Sequence, residues 1–317
     1  MDRRIRFVLE EARERGASDI VLKEDKKAIL RVYGDMMEVG EIISKEDMEK
    51  FFNYLKPVGF VNEYLGPPVG IDASFEYKGR YRANFFTSMG KKCMAIRVIS
   101  DGIRDLHELG LPGNLTGMVM EKKGLSLIVG KTGAGKSTTL AAITQEILKR
   151  EKAHIITLED PVEYRFRSFE GEVTQREMGM DFLSFETGIT EALRQSPDYI
   201  VIGEIRNISA LKAAIMAAEA GHGILGTIHS FGASRTMTRM LSMFPDTEKE
   251  FVRYQLSSNL NFILSQKLKF EGKIPVIDYE LMLNTSSMEN TIREGRFNQI
   301  DNLILLGEKQ GMKRFGG

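Results

Sequence analysis

The 317-residue sequence predicts two domains of different class, a small α+β domain followed by an α/β domain on a mostly parallel sheet. Three observations carry this. Residues 130–137, Gly-Lys-Thr-Gly-Ala-Gly-Lys-Ser, complete a G-x-x-x-x-G-K-[ST] loop between the apolar run Leu125 to Val129 and a helical pattern beginning near Thr138. After residue 113 apolar runs alternate with helical patterns, whereas before residue 100 short alternating segments read as antiparallel sheet with helices. The two regimes meet at Ser100-Asp-Gly102 and the loop around Leu111-Pro-Gly113, which sets residues 1–100 as the first domain, 101–112 as a linker and 113–317 as the second domain.

In the first domain, Ile5, Val8, Leu9 and Ala12 share one helical face that ends at Gly16. Strands follow over Asp19 to Lys23 and Ala28 to Val32. A helix from about Lys45 to Leu55 starts on the capping box Ser44-x-x-Asp47, with Phe51, Phe52 and Leu55 turned inward. Ile71, Ala73, Phe75 and Tyr77 alternate with polar residues, Lys78-Gly79 makes a turn, and Tyr81, Ala83 and Phe85 alternate again, which predicts a hairpin. A third strand is expected over Lys92 to Ile99.

In the second domain, strands are expected over Leu125 to Gly130, His154 to Glu159, Tyr199 to Glu204 and Gly223 to His229, each followed by polar residues. Ligands of such sheets bind at the carboxyl ends of the strands. Two C-terminal helices are expected, Gly232 to Phe244 and Thr247 to Lys269. Their apolar stripe, including Met237, Met240, Phe244, Leu256, Leu260, Ile263 and Leu264, reads as core, with part of it available for subunit packing.

Composition narrows the function. Lys and Arg number 44 and Asp and Glu number 44, so no global field gathers nucleic acid, and no direct nucleic-acid partner is expected. The single cysteine, Cys93, excludes an internal disulfide framework or a Cys-x-x-Cys zinc module, fits a reducing cytosol and reads as a small core hydrophobe. No apolar run approaches the roughly 18 residues of a membrane helix, and no signal-type hydrophobic region follows Met1-Asp-Arg-Arg, so a soluble intracellular protein is expected.

The chemistry sits at the strand ends. Gly130, Thr132, Gly133, Ala134 and Gly135, with Lys136, Ser137 and Thr138 opening the helix, are the candidate nucleotide-binding residues. Glycines let the backbone fold around a phosphate chain, Lys136 reaches the β/γ-phosphates and the Ser137 hydroxyl ligates Mg²⁺. Glu159, Asp160 and Glu163 follow the second strand, where hydrolysis needs one carboxylate for the attacking water and another toward Mg²⁺. Asp198-Tyr-Ile-Val-Ile-Gly-Glu204 is an apolar run ending in an acid, the Walker B form. The fourth strand is flanked by His222 and His229, and a histidine there can donate to phosphate.

These residues resemble the secretion and type IV pilus ATPases, most closely the pilus retraction ATPases of the PilT type. The resemblance runs over nearly the whole chain: Ala17-Ser-Asp19, Arg80-Tyr-Arg-Ala-Asn84 and Ala95-Ile-Arg97, Leu158-Glu-Asp-Pro-Val-Glu163, Gln175-Arg-Glu177-Met-Gly179, Ala192 to Arg206, Gly221 to His229, and Ile292-Arg-Glu-Gly-Arg296. It implies a PAS-like N-terminal domain, a RecA-like ATPase domain and a homohexameric ring whose active sites form between subunits or facing domains. It further implies ATP and Mg²⁺ as ligands, Glu163 as general base, Glu204 organising metal and water, His229 near the phosphates with His222 next to it in a more structural role, and Arg82 and Arg97 carrying charge to a γ-phosphate. Ser137, Glu204 and Glu159 become the candidate metal-holding residues. The implied partner is an integral inner-membrane pilus platform protein, with the ATPase peripheral at the cytoplasmic face. Ser196 and Asn207 stand where the family usually carries Asp. The paired-cysteine zinc insertion common in pilus assembly and type II secretion ATPases is lacking, which tilts the expectation toward retraction, with an assembly, competence or type II/IV secretion ATPase as the alternative; the neutral charge and the lack of an aromatic-plus-basic groove disfavour a RecA-like nucleic-acid motor.

Overall fold

The computed structural model describes residues 1–55, 71–99, 102–271 and 274–316. The chain divides into two compact units, Met1–Gly102 and Ile103–Gly317.

The first unit runs α1 (Arg3–Glu14), β1 (Asp19–Lys23), β2 (Lys26–Val32), β3 (Asp35–Ile43), α2 (Lys45–Leu55), β4 (Ile71–Glu76), β5 (Arg80–Ser88) and β6 (Lys91–Ile99). Its sheet has the order β3-β2-β1-β6-β5-β4, every neighbouring pair antiparallel. Ile5, Val8, Leu9 and Ala12 of α1 are buried, as their helical spacing requires. The capping box at α2 forms: Asp47 Oδ2 accepts from the Ser44 N–H at 2.9 Å while Ser44 Oγ accepts from the Asp47 N–H at 3.2 Å. Phe51 meets Phe75 edge-on at 5.4 Å, and Phe75 stacks on Tyr81 at 5.0 Å, so the hairpin is fastened to α2 through aromatic faces. Cys93 is buried.

Strand β3 was absent from the sequence expectation. It is an edge strand burying only Val39 and Ile43, so it carries no apolar alternation. Its turn does carry a signal: Tyr33 and Gly34 both take positive φ, 51° and 93°, as a two-residue hairpin turn demands.

The second unit begins at Ile103. Residues 103–112, placed in a linker by sequence, bring Leu106, Leu109 and Leu111 into the same buried core as Leu140 and Ile143. The unit continues with α3 (Leu115–Glu121), β7 (Leu125–Val129), α4 (Lys136–Arg150), β8 (His154–Glu159), β9 (Glu172–Glu177), α5 (Phe185–Ala192), β10 (Tyr199–Ile202), α6 (Ile208–Glu219), β11 (Gly223–Ile228), α7 (Ala233–Ser242), α8 (Asp246–Asn259), β12 (Leu260–Glu271), β13 (Ile274–Leu283), α9 (Ser286–Arg293) and α10 (Ile300–Leu306). The sheet order is β13-β12-β7-β11-β10-β8-β9, with all pairs parallel except β12 with β13.

Helices cover both faces. Leu127, Ile156 and Ile200 pack with α5, α6 and α7, while Ile128, Ile155 and Val201 pack with α3 and α4 on the other side. That two-sided burial is why these strands read as unbroken apolar runs.

One expected helix is corrected. The segment from Thr247 to Lys269 is helical only as far as Asn259; from Leu260 it becomes β12, which pairs with β7 and β13. Strands β9 and β13 were likewise not anticipated. Strand β10 stops at Ile202 and β11 at Ile228, so Glu204 and His229 lie in the loops beyond their strands. Among the described residues, no helix is long and apolar enough to cross a membrane.

Candidate nucleotide site

The glycine loop springs from β7, a strand with every residue buried, and ends on the first turn of α4. Gly130 has no room for a side chain: a Cβ there would lie 2.5 Å from the Gln266 carbonyl and 2.9 Å from Ala134 Cβ. Gly133 and Gly135 take φ of 77° and 84°, turning the backbone in a way that L side chains resist. Gly135 is also the N-cap of α4 and supplies no side-chain acceptor, so the first-turn N–H groups remain available to an anion.

Lys136 is buried and its Nζ donates to the carbonyls of Gly130 at 3.0 Å and Lys131 at 3.1 Å, so the ammonium is held inside the loop. Burial pulls its pKa down from the usual lysine value, against the opposing attraction of Glu204 and Glu163. Those carboxylates are therefore electrostatic neighbours of Lys136. Gln266 of β12 donates from Nε2 to the Ala134 carbonyl at 2.7 Å, and Thr138 Oγ1 shares a 2.9 Å hydrogen bond with Tyr164 Oη. Neither Gln266 nor Tyr164 was singled out from sequence. Gln266 was assigned to a helix, and nothing local marks Tyr164 as a partner for the loop.

At the end of β8, Glu159 is mostly buried. Its Oε1 accepts from the Thr157 hydroxyl at 2.8 Å and Gln175 Nε2 at 3.1 Å, and its Oε2 accepts from the Glu163 N–H at 3.2 Å. Burial raises its pKa above the usual carboxylate value. Those three bonds fix the turn that carries Glu163. Beyond β10, Glu204 Oε2 accepts from Arg206 Nε at 2.7 Å, while Arg206 also reaches Asp160 at 3.0 Å. Glu204 Oε1 lies 3.0 Å from His229 Nε2. Thr227 Oγ1 of β11 donates to the Gly203 carbonyl at 2.6 Å, tying the loop after β10 to β11.

His222, expected beside His229, is at the opposite end of β11, where its Nδ1 is 3.1 Å from the Ala217 carbonyl at the end of α6. Asn207 caps α6 by accepting from the Ala210 N–H at 2.9 Å, a task Asp performs equally, so this departure from the family pattern keeps its local function. Ser196 takes a left-handed φ of 51°, a conformation Asp tolerates better.

Beside the loop opens a groove of about 690 Å³ whose lining includes Lys131, Thr132, His229, Phe231, Arg235 and Arg239. Its charged lining is cationic, as a polyphosphate requires. Ser137 and Glu204 offer hard oxygen donors of the kind Mg²⁺ takes. Among the described residues no group of three or more His, Cys, Asp or Glu forms a ready metal cage. Oxygens from the nucleotide itself complete such a site in phosphate-binding loops. In the first unit, Arg82 on β5 lies directly opposite Arg97 on β6, and Arg97 pairs with Asp19.

A family model described as "Type II/IV secretion system protein" matches residues 70–273, spanning strands β4 to β12 and therefore the whole loop-and-carboxylate constellation. The chain belongs to that family. The uncharacterized protein YggR of Escherichia coli (strain K12) is 40% identical over 239 residues, covering 74% of this chain and 73% of that one. The type IV pilus retraction ATPase PilT of Pseudomonas aeruginosa is 32% identical over 317 aligned residues, covering 95% and 88%. The crystal structure of the pilus retraction motor PilT with bound ADP superimposes with a TM-score of 0.86 at 33% identity, covering 99% of this chain and 95% of that one. The second unit thus has the RecA-like P-loop ATPase fold, and the protein is a nucleotide-binding secretion-family ATPase.

Proposed function

We propose that this ATPase works as a homohexameric ring that powers type IV pilus retraction, and hence twitching motility, with ATP and Mg²⁺. The observation that carries the hydrolytic reading is the convergence on Lys136 of carboxylates from two different strand ends, Glu163 after β8 and Glu204 after β10, with His229 after β11 bonded to Glu204. Retraction is supported by likeness to PilT over nearly the full length of both chains.

In this reading Gly130, Thr132, Gly133, Ala134, Gly135 and Thr138 shape the phosphate cradle. Lys136 neutralises β/γ-phosphate charge. Glu163, held by the brace that Glu159 makes to its N–H, takes the proton of the attacking water. Glu204 and His229 orient that water and the phosphate edge. Ser137 and Glu204 hold the metal, which when bound neutralises charge on the phosphate oxygens. Glu159, expected among the metal-holding residues, is assigned to bracing because it is mostly buried and its Oε2 holds the Glu163 N–H. Arg82 and Arg97 of the PAS-like domain present positive charge to a γ-phosphate, which couples hydrolysis to movement between domains. The ring acts on an integral inner-membrane platform protein from the cytoplasmic face and needs no nucleic acid.

The test is a Lys136→Ala replacement in a piliated host. Pili that still assemble but no longer retract support the proposal; loss of assembly assigns the chain to the assembly or secretion branch instead. In the purified protein, Glu163→Gln is expected to lower single-turnover hydrolysis by about a hundredfold, and a wild-type rate removes Glu163 as the base.

A further inference from the structure

Four charged residues line up across four adjacent strands of the first unit. Asp19 on β1 stands in register with Arg31 on β2 and with Arg97 on β6, and Arg97 stands in register with Arg82 on β5. Directly opposed residues of antiparallel strands project to the same face. The row therefore reads Arg31, Asp19, Arg97, Arg82, on the side of the sheet away from the buried Tyr81, Ala83 and Ile96. A shallow cavity of about 230 Å³ lies on this row, lined by Asp19, Arg82, Asn84, Ala95 and Arg97 among others.

Like charges placed directly opposite destabilise a strand pair, so Arg97 against Arg82 is an arrangement that packing alone does not favour. Asp19 offsets it on the β1 side. Its Oδ1 is 3.3 Å from Arg97 Nε, and its Oδ2 is 3.8 Å from Arg31 Nε. The atom of Arg97 that is engaged decides the consequence. A guanidinium carries five N–H donors in a rigid fork, and phosphate is gripped by the outer nitrogens. Contact through Nε fixes the plane of the guanidinium and leaves the two terminal NH₂ groups for an incoming anion.

We propose that Asp19 is a positioning residue for ATP hydrolysis: it holds Arg97 by Nε so that the terminal nitrogens of Arg97 are presented, alongside Arg82, to a triphosphate. This rests on the reading of Arg97 as a phosphate-facing arginine, and the experiment separates the two.

Steady-state ATP hydrolysis is measured on the full chain in its assembled form for Asp19→Asn, Arg97→Gln and the double variant. The expected result is a kcat loss of about a thousandfold or more for Arg97→Gln, the lower end of what a transition-state arginine supplies. Asp19→Asn is expected to lose about two- to fivefold in kcat, the reach of one exposed ion pair, with KM for ATP unchanged. The double variant is expected to match Arg97→Gln alone, because a residue that acts through Arg97 has nothing left to position. Asp19→Glu, which keeps the charge, recovers part of the rate. Wild-type kcat in Asp19→Asn beside an impaired Arg97→Gln overturns the positioning role. A further fall in the double variant shows that Asp19 acts elsewhere in the sheet and overturns it as well. A wild-type rate in Arg97→Gln overturns the underlying reading and the inference with it.

Discussion

His229 Nε2 lies 3.0 Å from Glu204 Oε1, joining the loop after β11 to the loop after β10 directly beside Lys136. The pair gives the site a defined protonation state. Burial lowers the pKa of His229 below the ordinary histidine value, and the nearby charge of Lys136 lowers it further, against the pull of Glu204. At neutral pH the ring is uncharged, and the short contact is an Nε2–H donated to the carboxylate.

A pH dependence of stability follows from that shift. The folded pKa lies below the unfolded value of about 6.5, so the unfolded chain binds more protons between the two values. The contribution of His229 is complete above about pH 6.5 and is lost as the pH falls through the folded value. Urea midpoints at about pH 5.5 and 7.5, compared for wild type and His229→Asn, isolate it from the other histidines. Wild type should lose more stability on acidification than the variant. Parallel losses would mean that His229 titrates as a free histidine.

Two glycines of the same loop should fail for different reasons. Gly130→Ala drives a methyl against the Gln266 carbonyl at 2.5 Å and Ala134 Cβ at 2.9 Å, both parts of the packed loop and sheet. At Gly133 a Cβ meets nothing within 4 Å, but φ is 77°, so Ala there carries only the left-handed penalty of about 1–2 kcal/mol. Gly130→Ala should therefore abolish ADP binding and lower Tm, whereas Gly133→Ala should weaken binding with a smaller Tm change. Thermal melts with and without ADP read both effects, and equal damage at the two positions would contradict the packing account.

The parts of the fold that were legible in the sequence are those where one residue type answers one physical need. The glycine loop, the capping box at Ser44 and Asp47, and the acids ending apolar runs all depend on local chemistry. Strand β12 was not legible. Phe262, Ile263, Leu264, Ser265 and Gln266 are all buried, because β7 and β13 flank the strand and both faces of the sheet are covered. A run without alternation continues the helical spacing of Val252 and Leu256 as well as it starts a strand, and only pairing with β7 decides between them. The partners of the site were hidden for the same reason. Gln266 reaches Ala134 across 132 residues of sequence, a contact made by the register of β12 on β7.

That register makes Gln266 the residue whose replacement tests how the loop is held. Its Nε2 is the donor to the Ala134 carbonyl at 2.7 Å, and both atoms are buried. Gln266→Leu removes the donor and leaves the carbonyl unsatisfied, a cost of about 1–3 kcal/mol that falls on the loop in its nucleotide-binding shape. ADP affinity should drop by about tenfold, the equivalent of about 1.4 kcal/mol, while the rest of the sheet stays folded. Gln266→Glu keeps the shape but sets an anionic acceptor against the carbonyl and near the incoming phosphates, so it should bind ADP more weakly than the leucine variant. Calorimetric titration with ADP ranks the three proteins. Leu binding as well as Gln would show that the loop keeps its shape without β12, and Glu binding better than Leu would show that charge from β12 does not reach the phosphates.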